Sequence, residues 1–452
     1  MLNRKHVNMT EGPIFPAIVV YSIPIVLSSI MQILFNAADL AVVGNFAGTV
    51  ATAAVGATTS FISLIVNSVM GLTTGVNVTL ARAIGARDRD ASQRIVHTAV
   101  TVSVIAGVIV GVIGFLVSPF AMDVTRCPES AKDMAVLYMR IYFCGAPGIF
   151  LYNFGAAILR TKGDTRRPLN FLILSGVLNV ILNLIFVIVL KMEADGVALA
   201  TAISQYVAAG LVLKSLTMQD DETRVNLQGL RITGKELAGI LRYGLPSGFT
   251  SAMYSFSNLQ IQSAINSFGD SAVAGSAACT SLEGFISSGT TAISSATLSF
   301  VGQNIGAQKK ERIGRVVLCG LCAVLLYTVT LGVGMYLIGT PLYRIYVPND
   351  LEAIRVAALR ARYMVLFNWM MGVFHVFGSA SEALGYSIRI TVNSVLGVCG
   401  VRTLWMQFIY PHIKTLDAVY ICYPITWGII ILAHGVVLTI AYRRYMKKGT
   451  VR

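Results

Sequence analysis

The sequence predicts an all-α integral membrane protein with twelve transmembrane helices in two six-helix lobes. Three observations support this prediction: a composition that is 55% hydrophobic and only 12% charged, a series of long apolar runs, and an internal repeat. Soluble domains carry charge on about a quarter of their residues. The runs are too continuous for the alternating pattern of a membrane β-barrel, so the helical class is favoured.

The spans are predicted from apolar runs long enough to cross the hydrocarbon core, with polar loops between them. Residues 1–13 contain no short apolar region with a cleavage site, so no signal peptide is expected and the first span acts as the insertion signal. The predicted spans cover residues 14–43, 50–80, 95–118, 134–158, 168–190, 194–214, 237–267, 272–301, 316–343, 357–382, 390–411 and 416–442.

The net charge of +14 comes mainly from the loops between the predicted spans. Most of the 35 Lys and Arg residues fall on the side of the spans that holds both termini. Cytoplasmic loops carry such an excess of positive residues, so we expect both termini in the cytoplasm. The basic residues therefore indicate topology, and no nucleic-acid partner is expected.

An internal repeat divides the chain into two halves. A shift of 222 residues pairs Pro24 with Pro246. A shift of 221 pairs the Gly-Ala dipeptide at 85–86 with that at 306–307. Each half has an even number of spans, which predicts parallel repeats related by an axis along the membrane normal. The predicted organisation is an N-terminal lobe at 1–222, a cytoplasmic linker at 223–236 and a C-terminal lobe at 237–452.

Asp39 is an acid within an otherwise uncharged apolar run. An ionisable residue at membrane depth usually faces a cavity or the bundle interior, which predicts a functional site. Gln32 and Asn36 precede Asp39 by seven and three residues, so a helix places all three on one face. Pro24 removes a backbone hydrogen bond from the same helix and predicts a hinge. The alternative is a structural carboxylate that pairs with a neighbouring helix or lies near the lipid headgroups.

Further polar residues in the predicted spans are candidates for a substrate cavity. Glu283 is the best placed of them to meet a cationic substrate, whereas hydrogen bonds between helices explain the other residues equally well. Arg402 is a fixed positive charge in an apolar span, and we expect it to pair with an acid or to extend toward the membrane surface. The cavity candidates are Gln32, Asn36, Asn67, Tyr254, Asn258, Gln262 and Glu283.

No residue pattern points to an enzyme or to a cofactor. The 7 cysteines fall mostly within apolar runs and the 5 histidines are scattered, so no metal site is expected beyond a possible Na⁺ site. The phosphate-binding loop of nucleotide hydrolases does not occur either. The chain is therefore not expected to be an enzyme or to need a cofactor other than a coupling ion.

Five segments occur in this order along the chain: FNAADLAVVGNFAG at 35–48, ARAIGARD at 81–88, AILRTKGDTRRPLN at 157–170, GVLNVILNLIFVI at 176–188 and VGQNIGAQKKERI at 301–313. Together these segments resemble the multidrug and toxic compound extrusion (MATE) family. The resemblance implies secondary active export of amphipathic, often cationic organic compounds in exchange for Na⁺ or H⁺. It also implies a multi-pass protein of the bacterial cytoplasmic membrane, which we expect to act as a monomer.

The family resemblance implies a cation site in the N-terminal half. Its members carry an acid on the first span, an Asn and an acid four residues apart on the fifth, and a Thr on the sixth. These positions correspond here to Asp39, Asn179 and Thr201, with Asn183 in place of the second acid. Some members also use carboxylates on the seventh and tenth spans. Here those places hold Tyr254 and Gly372, which argues against a second ion site in the C-terminal half.

Two coupling ions are compatible with these residues. Asn179 and Asn183 project from one helical face and offer carbonyl oxygens, the ligand type that hard cations select. One carboxylate with neutral oxygens balances one Na⁺, so an amide at position 183 favours Na⁺. Protonation of Asp39 is the alternative. A flippase for a lipid-linked intermediate is the rival function, but it would be expected to show a more strongly basic cavity than these spans provide.

Overall fold

The computed structural model describes residues 7–125, 127–348 and 350–448, and every regular element in these ranges is helical. This confirms the all-α class. The α-helices are α1 (Ile14–Val42), α2 (Gly48–Gly85), α3 (Arg89–Val124), α4 (Glu129–Cys144), α5 (Ala146–Lys162), α6 (Arg166–Leu184), α7 (Ala194–Thr217), α8 (Gly234–Asn266), α9 (Asp270–Gly306), α10 (Lys310–Leu337), α11 (Gly339–Tyr346), α12 (Leu351–Met364), α13 (Asn368–Ala383), α14 (Ser387–Ser394), α15 (Val401–Leu404), α16 (Tyr410–Ile413) and α17 (Leu416–Lys448). A short 3₁₀ helix lies at Leu227–Gly229, and π-helical segments lie at Val43–Ala47, Ile185–Val189, Val395–Gly400 and Trp405–Ile409.

Membrane crossing is supported by the length and composition of these helices. Within the described ranges, six helical runs are long and apolar enough to cross a bilayer, or eight if each of two bent helix pairs is one span. The run Ile14–Gly85 has 72 residues and covers two of the predicted spans. The predicted spans at 237–267, 272–301 and 390–411 are occupied by more polar helices. These are α8, α9 and the stretch from α14 to α16. The protein is a multi-pass membrane protein, and the count of twelve spans stays a prediction.

Two predicted spans are bent helix pairs. Helices α4 and α5 meet at an angle of 45°, and α12 and α13 meet at 42°. Pro147 lies at the start of α5, directly after the first break. A proline has no backbone N–H to continue the hydrogen bonds of the preceding helix, which explains why the helix ends there.

Helix α3 shows how the sequence separates the core from the lipid. Gly107 and Gly111 face α4 and α5, where an added Cβ would lie 2.6 Å from the backbone of Pro147 and 2.9 Å from that of Phe143. Small residues at this spacing let membrane helices approach closely. The opposite face presents an apolar stripe too long for a water-exposed surface. This stripe consists of Val104, Ile105, Val108, Ile109, Val112, Ile113 and Leu116.

The chain forms two compact units. The first holds Leu27–Leu245 with Val7, and the second holds Asn8–Val26 with the chain from Pro246 onward. These units differ from the predicted lobes, because the first part of α1 belongs to the second unit and the first part of α8 to the first. Both helices are divided next to a proline, Pro24 in α1 and Pro246 in α8. Loss of a backbone hydrogen bond makes a proline a suitable point for a helix to change packing partners.

The internal repeat is visible in the backbone conformation. Gly48 and Gly269, which are 221 residues apart, have φ of 90° and 92°. Arg87 and Gln308 have the same separation, and their φ values are 56° and 57°. A non-glycine residue in the left-handed region is uncommon, so its recurrence at matching turns is a specific feature. The structure therefore confirms that the two halves share one local architecture.

The segment that follows α7 is held to the first unit by polar contacts. The Lys162 ammonium donates to Gln219 Oε1 at 2.7 Å and forms an ion pair with Asp221. Asp221 also accepts hydrogen bonds from the backbone N–H of Thr223 at 3.0 Å and from its hydroxyl at 2.6 Å. Burial raises the pKa of Asp221, but the hydrogen bonds from Lys162 and Thr223 outweigh that effect, and the pKa is lower than usual.

We expect Asp221→Asn to lower the melting temperature of the purified protein slightly at pH 7. The free energy of unfolding of the variant should be about 1 kcal/mol or less below that of the native protein, because 34% of the Asp221 side chain is exposed and solvent weakens the ion pair. A carboxyl with a lowered pKa stabilises the fold above its unfolded pKa of about 4 and loses that effect as pH falls through the folded value. The difference should therefore shrink below about pH 4. Asp220→Asn is the control, and a difference that grows on acidification would contradict the assignment.

Candidate cation and substrate sites

Four of the predicted site residues lie together in the first unit. Asn183 Nδ2 donates to Asp39 Oδ1 at 2.5 Å and is 3.4 Å from Asn179 Oδ1. Asn179 Nδ2 donates in turn to Thr201 Oγ1 at 3.3 Å. The Thr201 hydroxyl is also within hydrogen-bonding reach of the Asp39 carboxylate. Helices α1, α6 and α7 thus bring one carboxylate and three neutral oxygens to one place.

Two π-helical segments follow directly on this cluster. Asp39 lies in the last turn of α1, before the segment Val43–Ala47, and Asn183 lies near the end of α6, before Ile185–Val189. These segments contact each other. A π-helical insertion turns the residues on either side relative to an unbroken α-helix, and such insertions often occur at functional sites.

One polar atom of the cluster lacks a hydrogen-bond donor. Asn183 is fully buried, and its Oδ1 has no partner among the described residues. A buried acceptor without a donor is unfavourable in a protein interior. A cation bound beside the Asp39 carboxylate would satisfy this oxygen, and Na⁺ is bound by oxygen ligands of this kind. The residues present therefore fit a small hard cation.

The spacing between α1 and α6 depends on a glycine. The ring of Phe35, one turn before Asp39, lies where a side chain at Gly176 would be, with ring atoms 1.9 to 2.4 Å from an added Cβ. Gly176 precedes Asn179 by three residues. Without a Cβ at 176, the two helices pack closely enough for Asp39 to reach Asn183.

We expect Gly176→Val to lower the melting temperature of the purified protein in detergent. The branched side chain cannot fit beside Phe35, and overpacking of this kind costs about 1–3 kcal/mol. Gly210→Val is the matched control, because nothing lies within 4 Å of an added Cβ on Gly210. Adding Phe35→Ala to Gly176→Val should recover part of the loss. Equal melting temperatures for the two valine variants would contradict this packing role.

Tyr138 is a neighbour of the cluster that sequence reasoning did not identify. It lies on α4, is buried, and is close enough to Asp39 to interact electrostatically with the carboxylate. Its ring stacks on that of Tyr142 with centroids 6.4 Å apart. Nothing in the sequence spacing of Tyr138 connects it to Asp39, so only the three-dimensional arrangement shows that the two are neighbours.

A cavity of about 300 Å³ lies within the second unit. Four predicted cavity residues line it, namely Tyr254, Asn258, Gln262 and Glu283. The remaining three belong to the first unit: Gln32 and Asn36 are exposed on α1, and Asn67 is exposed on α2. The structure therefore brings the C-terminal candidates together. The role of the N-terminal three as cavity residues stays a prediction.

Glu283 pairs with an arginine inside this cavity. Its two carboxylate oxygens accept hydrogen bonds from Arg360 Nε at 2.9 Å and from Nη2 at 3.1 Å, and both residues are buried. The sequence places Arg360 near the end of a predicted span, where it counts as a loop residue. It is instead a buried charge on α12. Glu283 is therefore neutralised within the protein, and its predicted contact with a cationic substrate is not favoured.

Two further sequence expectations concern the second unit. Arg402 was expected to meet an acid or the membrane surface, but it is buried and donates to the Asn258 amide oxygen at 3.2 Å. That expectation is wrong.

Gly372 is a packing residue, because an added Cβ would lie 2.7 Å from the Val324 side chain. A carboxylate at position 372 would not fit here, which agrees with the absence of an acid in the sequence.

The two halves of the chain both match one protein family. The MatE family profile matches residues 24–185 and again residues 246–405, which together make up well over half of the chain. The chain belongs to the MatE family. This confirms the resemblance drawn from the sequence. The two matches begin at Pro24 and Pro246, the positions that pair in the internal repeat.

Individual relatives extend over nearly the whole chain. A probable multidrug resistance protein of Bacillus subtilis, YpnP, is 27% identical over 87% of both chains. A FAD transporter of Shewanella oneidensis is 25% identical, over 92% of this chain and 93% of its own. A solved structure described as the outward-facing conformation of a multidrug resistance MATE family transporter has a TM-score of 0.88 at 23% identity, over 99% of both chains. The fold is therefore that of MATE transporters.

Proposed function

We propose that this protein is a secondary active antiporter of a bacterial plasma membrane that exports amphipathic organic compounds, including cationic ones, in exchange for Na⁺ or H⁺. The observation that carries the proposal is the cluster around Asp39. A buried carboxylate, two amides and a hydroxyl converge there, and one amide oxygen lacks a donor. The names of the relatives support the cargo class, since one is a probable multidrug resistance protein and another transports FAD.

Coupling requires the ion and the cargo to act on the same conformational equilibrium. A ligand shifts such an equilibrium only by its different affinity for the two states. In the proposed cycle, the cytoplasm-facing form takes up cargo and moves to the outward-facing form, where the cation binds at Asp39. Cation binding replaces the hydrogen bond between Asp39 and Asn183 with ligand contacts, repacks α1 and disfavours bound cargo.

Pro24 is the proposed hinge of this movement. It lies in the interior of α1, and the border between the two compact units falls two residues later. The residues after the border carry Asp39, and the residues before it pack in the second unit. A change in helix direction at Pro24 would therefore alter the position of Asp39 without unfolding either part of the helix.

Transport in proteoliposomes with separately imposed gradients tests the proposal. Efflux of a cationic dye driven by an inward Na⁺ gradient at equal pH is the expected result for Na⁺ coupling. Efflux driven by an inward proton gradient without Na⁺ is the expected result for H⁺ coupling. Failure of both gradients to drive any amphipathic dye would reject antiport. Accelerated scrambling of a lipid-linked diphosphate in the same vesicles would favour the flippase instead.

A further inference from the structure

Arg402 is a buried positive charge that lines the cavity of the second unit. Only 4% of the residue is exposed. Its guanidinium lies over the Tyr423 ring at 4.1 Å from the centroid, and Nη1 donates to Asn258 Oδ1 at 3.2 Å. Both partners are neutral. The charge itself is therefore not balanced by either contact, although a stacked ring attracts a cation weakly.

The hydrogen-bonding capacity of this arginine is incompletely used. Nε is buried and has no partner in the part of the chain that the structure describes. Among the same residues, Arg402 takes part in no ion pair, whereas Arg360 in the same cavity is paired with Glu283. A guanidinium at membrane depth is costly unless it is paired, and such residues usually serve a ligand or an ion path. An anionic group in the cavity would supply both the missing charge and the missing acceptor.

The repeat brings Arg402 close to the region that corresponds to the cluster around Asp39. Gly163 and Gly385, which are 222 residues apart, have φ of 102° and 92° at matching turns. The same shift pairs Asn179 with Val401, directly before Arg402, and Thr201 with Tyr423. The first repeat thus carries neutral oxygens in this region, whereas the second carries a cation and a ring.

The helix around Arg402 is irregular in a way that resembles the cation cluster. Arg402 lies in the four-residue helix α15, between the π-helical segments Val395–Gly400 and Trp405–Ile409. Asp39 and Asn183 in the first unit are likewise next to π-helical segments. Such insertions reorient side chains and are frequent at functional sites. Arg402 lines the cavity from its position between these two segments.

The remainder of the cavity is suited to a flat apolar body. Tyr423 and Trp427 pack edge to face with centroids 5.9 Å apart, and Phe374, Met364 and Met371 complete this side. Aromatic walls with adaptable methionines and a few polar groups are typical of pockets for organic ligands. We propose that this cavity binds an amphipathic aromatic compound through a carboxylate or phosphate group held by Arg402.

The charge balance of the cavity supports this ligand class. Glu283, the acid among the cavity residues, is held by two hydrogen bonds from Arg360, so it does not compete for Arg402. A planar guanidinium can donate two parallel hydrogen bonds to a carboxylate or phosphate, and its free Nε is one of the donors that such a pair uses. The inference rests on the proposed function only in treating this ligand as cargo, because binding itself requires no gradient.

Equilibrium dialysis of the full-length protein in detergent tests the site with three probes that share a naphthalene ring and differ in the charged group. The probes are 1-naphthoate, 1-naphthyl phosphate and 1-naphthylmethylammonium. We expect at least one anionic probe to bind more tightly than the cationic one, and comparing the two anions shows which group is preferred. Arg402→Gln should weaken anion binding by about thirtyfold or more, the order expected for truncating one partner of a buried charge pair. Arg402→Lys should retain most of it.

Asn258→Asp tests the inference without removing the arginine. The new carboxylate would lie where Asn258 Oδ1 accepts from Arg402, so it forms an ion pair of nearly the same shape. We expect this variant to fold at least as stably as the native chain and to lose anion binding. Anion binding that is equal in the native chain, Arg402→Gln and Asn258→Asp would overturn the inference, as would tighter binding of the cationic probe. Anion binding by the native chain together with absence of ion-driven efflux from proteoliposomes would leave this inference standing, so its failure is distinguishable from failure of the antiport proposal.

Discussion

Asp39→Asn should reduce ion-driven export to the level of vesicles without protein. The substitution keeps the size of the side chain and its capacity to hydrogen-bond Asn183, but it removes the one carboxylate of the four-residue cluster. Neutral oxygens alone do not balance the charge of a buried cation, and an amide cannot take up a proton at neutral pH. We therefore expect both Na⁺-driven and H⁺-driven efflux to be lost. The measurement is dye efflux from proteoliposomes with each gradient imposed separately.

The controls for this experiment separate coupling from folding. Gel filtration and thermal unfolding should show that the Asp39→Asn protein is folded, because no cavity or clash is created. Asp270→Asn makes the same chemical change at an exposed residue of α9 and should transport normally. Exchange of labelled for unlabelled dye, which needs no ion gradient, should persist in Asp39→Asn. Full ion-driven efflux in this variant would reject Asp39 as the coupling residue.

Glu283→Gln should be among the most destabilising substitutions in the second unit. It leaves the Arg360 guanidinium buried without the counter-charge that accepts two of its hydrogen bonds in the native protein. Removing one partner of a buried ion pair costs about 3–5 kcal/mol, because the other charge stays desolvated. The measurement is the melting temperature of the purified protein in detergent, supported by denaturant unfolding where it is reversible.

A second substitution shows whether the unpaired charge is the cause. Adding Arg360→Met to Glu283→Gln should restore most of the lost stability, since replacing a whole buried pair by apolar groups is often neutral. Glu352→Gln breaks the pair with Arg355, whose side chains are 63% and 80% exposed, and should change the melting temperature little. If Glu283→Gln behaved like Glu352→Gln, the buried pair would have no structural role.

Much of the architecture follows from simple sequence properties. Apolar run lengths predict where helices cross the bilayer, because each run must satisfy its own backbone hydrogen bonds in lipid. The repeat predicts that turns recur, and Arg87 and Gln308 adopt the same left-handed conformation. The cluster around Asp39 follows from the family resemblance, which points to Asp39, Asn179, Asn183 and Thr201. Their contacts bear out the proximity that it implies, and the bound ion stays a proposal.

The ion pair in the second unit was missed for a physical reason. Sequence gives the position of Arg360 along a span but not the depth at which a bent helix pair places it, and α12 and α13 meet at 42°. A signal was nevertheless present. Arg360 follows Val356 by four residues and precedes Met364 by four, so it shares an apolar helical face with them. Arg355 and Arg362 lie on other faces.

The partners of Arg402 could not be predicted from sequence. An acid partner can be sought by charge, but Asn258 and Tyr423 are neutral and give no such signal. The π-helical segments around Arg402 are equally hidden, since they depend on one inserted residue in a hydrogen-bond pattern rather than on a residue type. Only the three-dimensional arrangement of α8, α15 and α17 shows which neutral groups receive the guanidinium.

The position of Pro24 within α1 has a geometric consequence for the proposed hinge. Asp39 lies 15 residues beyond Pro24, or about 22 Å along the axis at the rise of an α-helix. A tilt of about 10° at the proline would therefore carry the carboxylate sideways by about 4 Å. That distance exceeds the 2.5 Å separation between Asp39 and Asn183, so in the proposed cycle a small change of helix direction at Pro24 would make or break this contact.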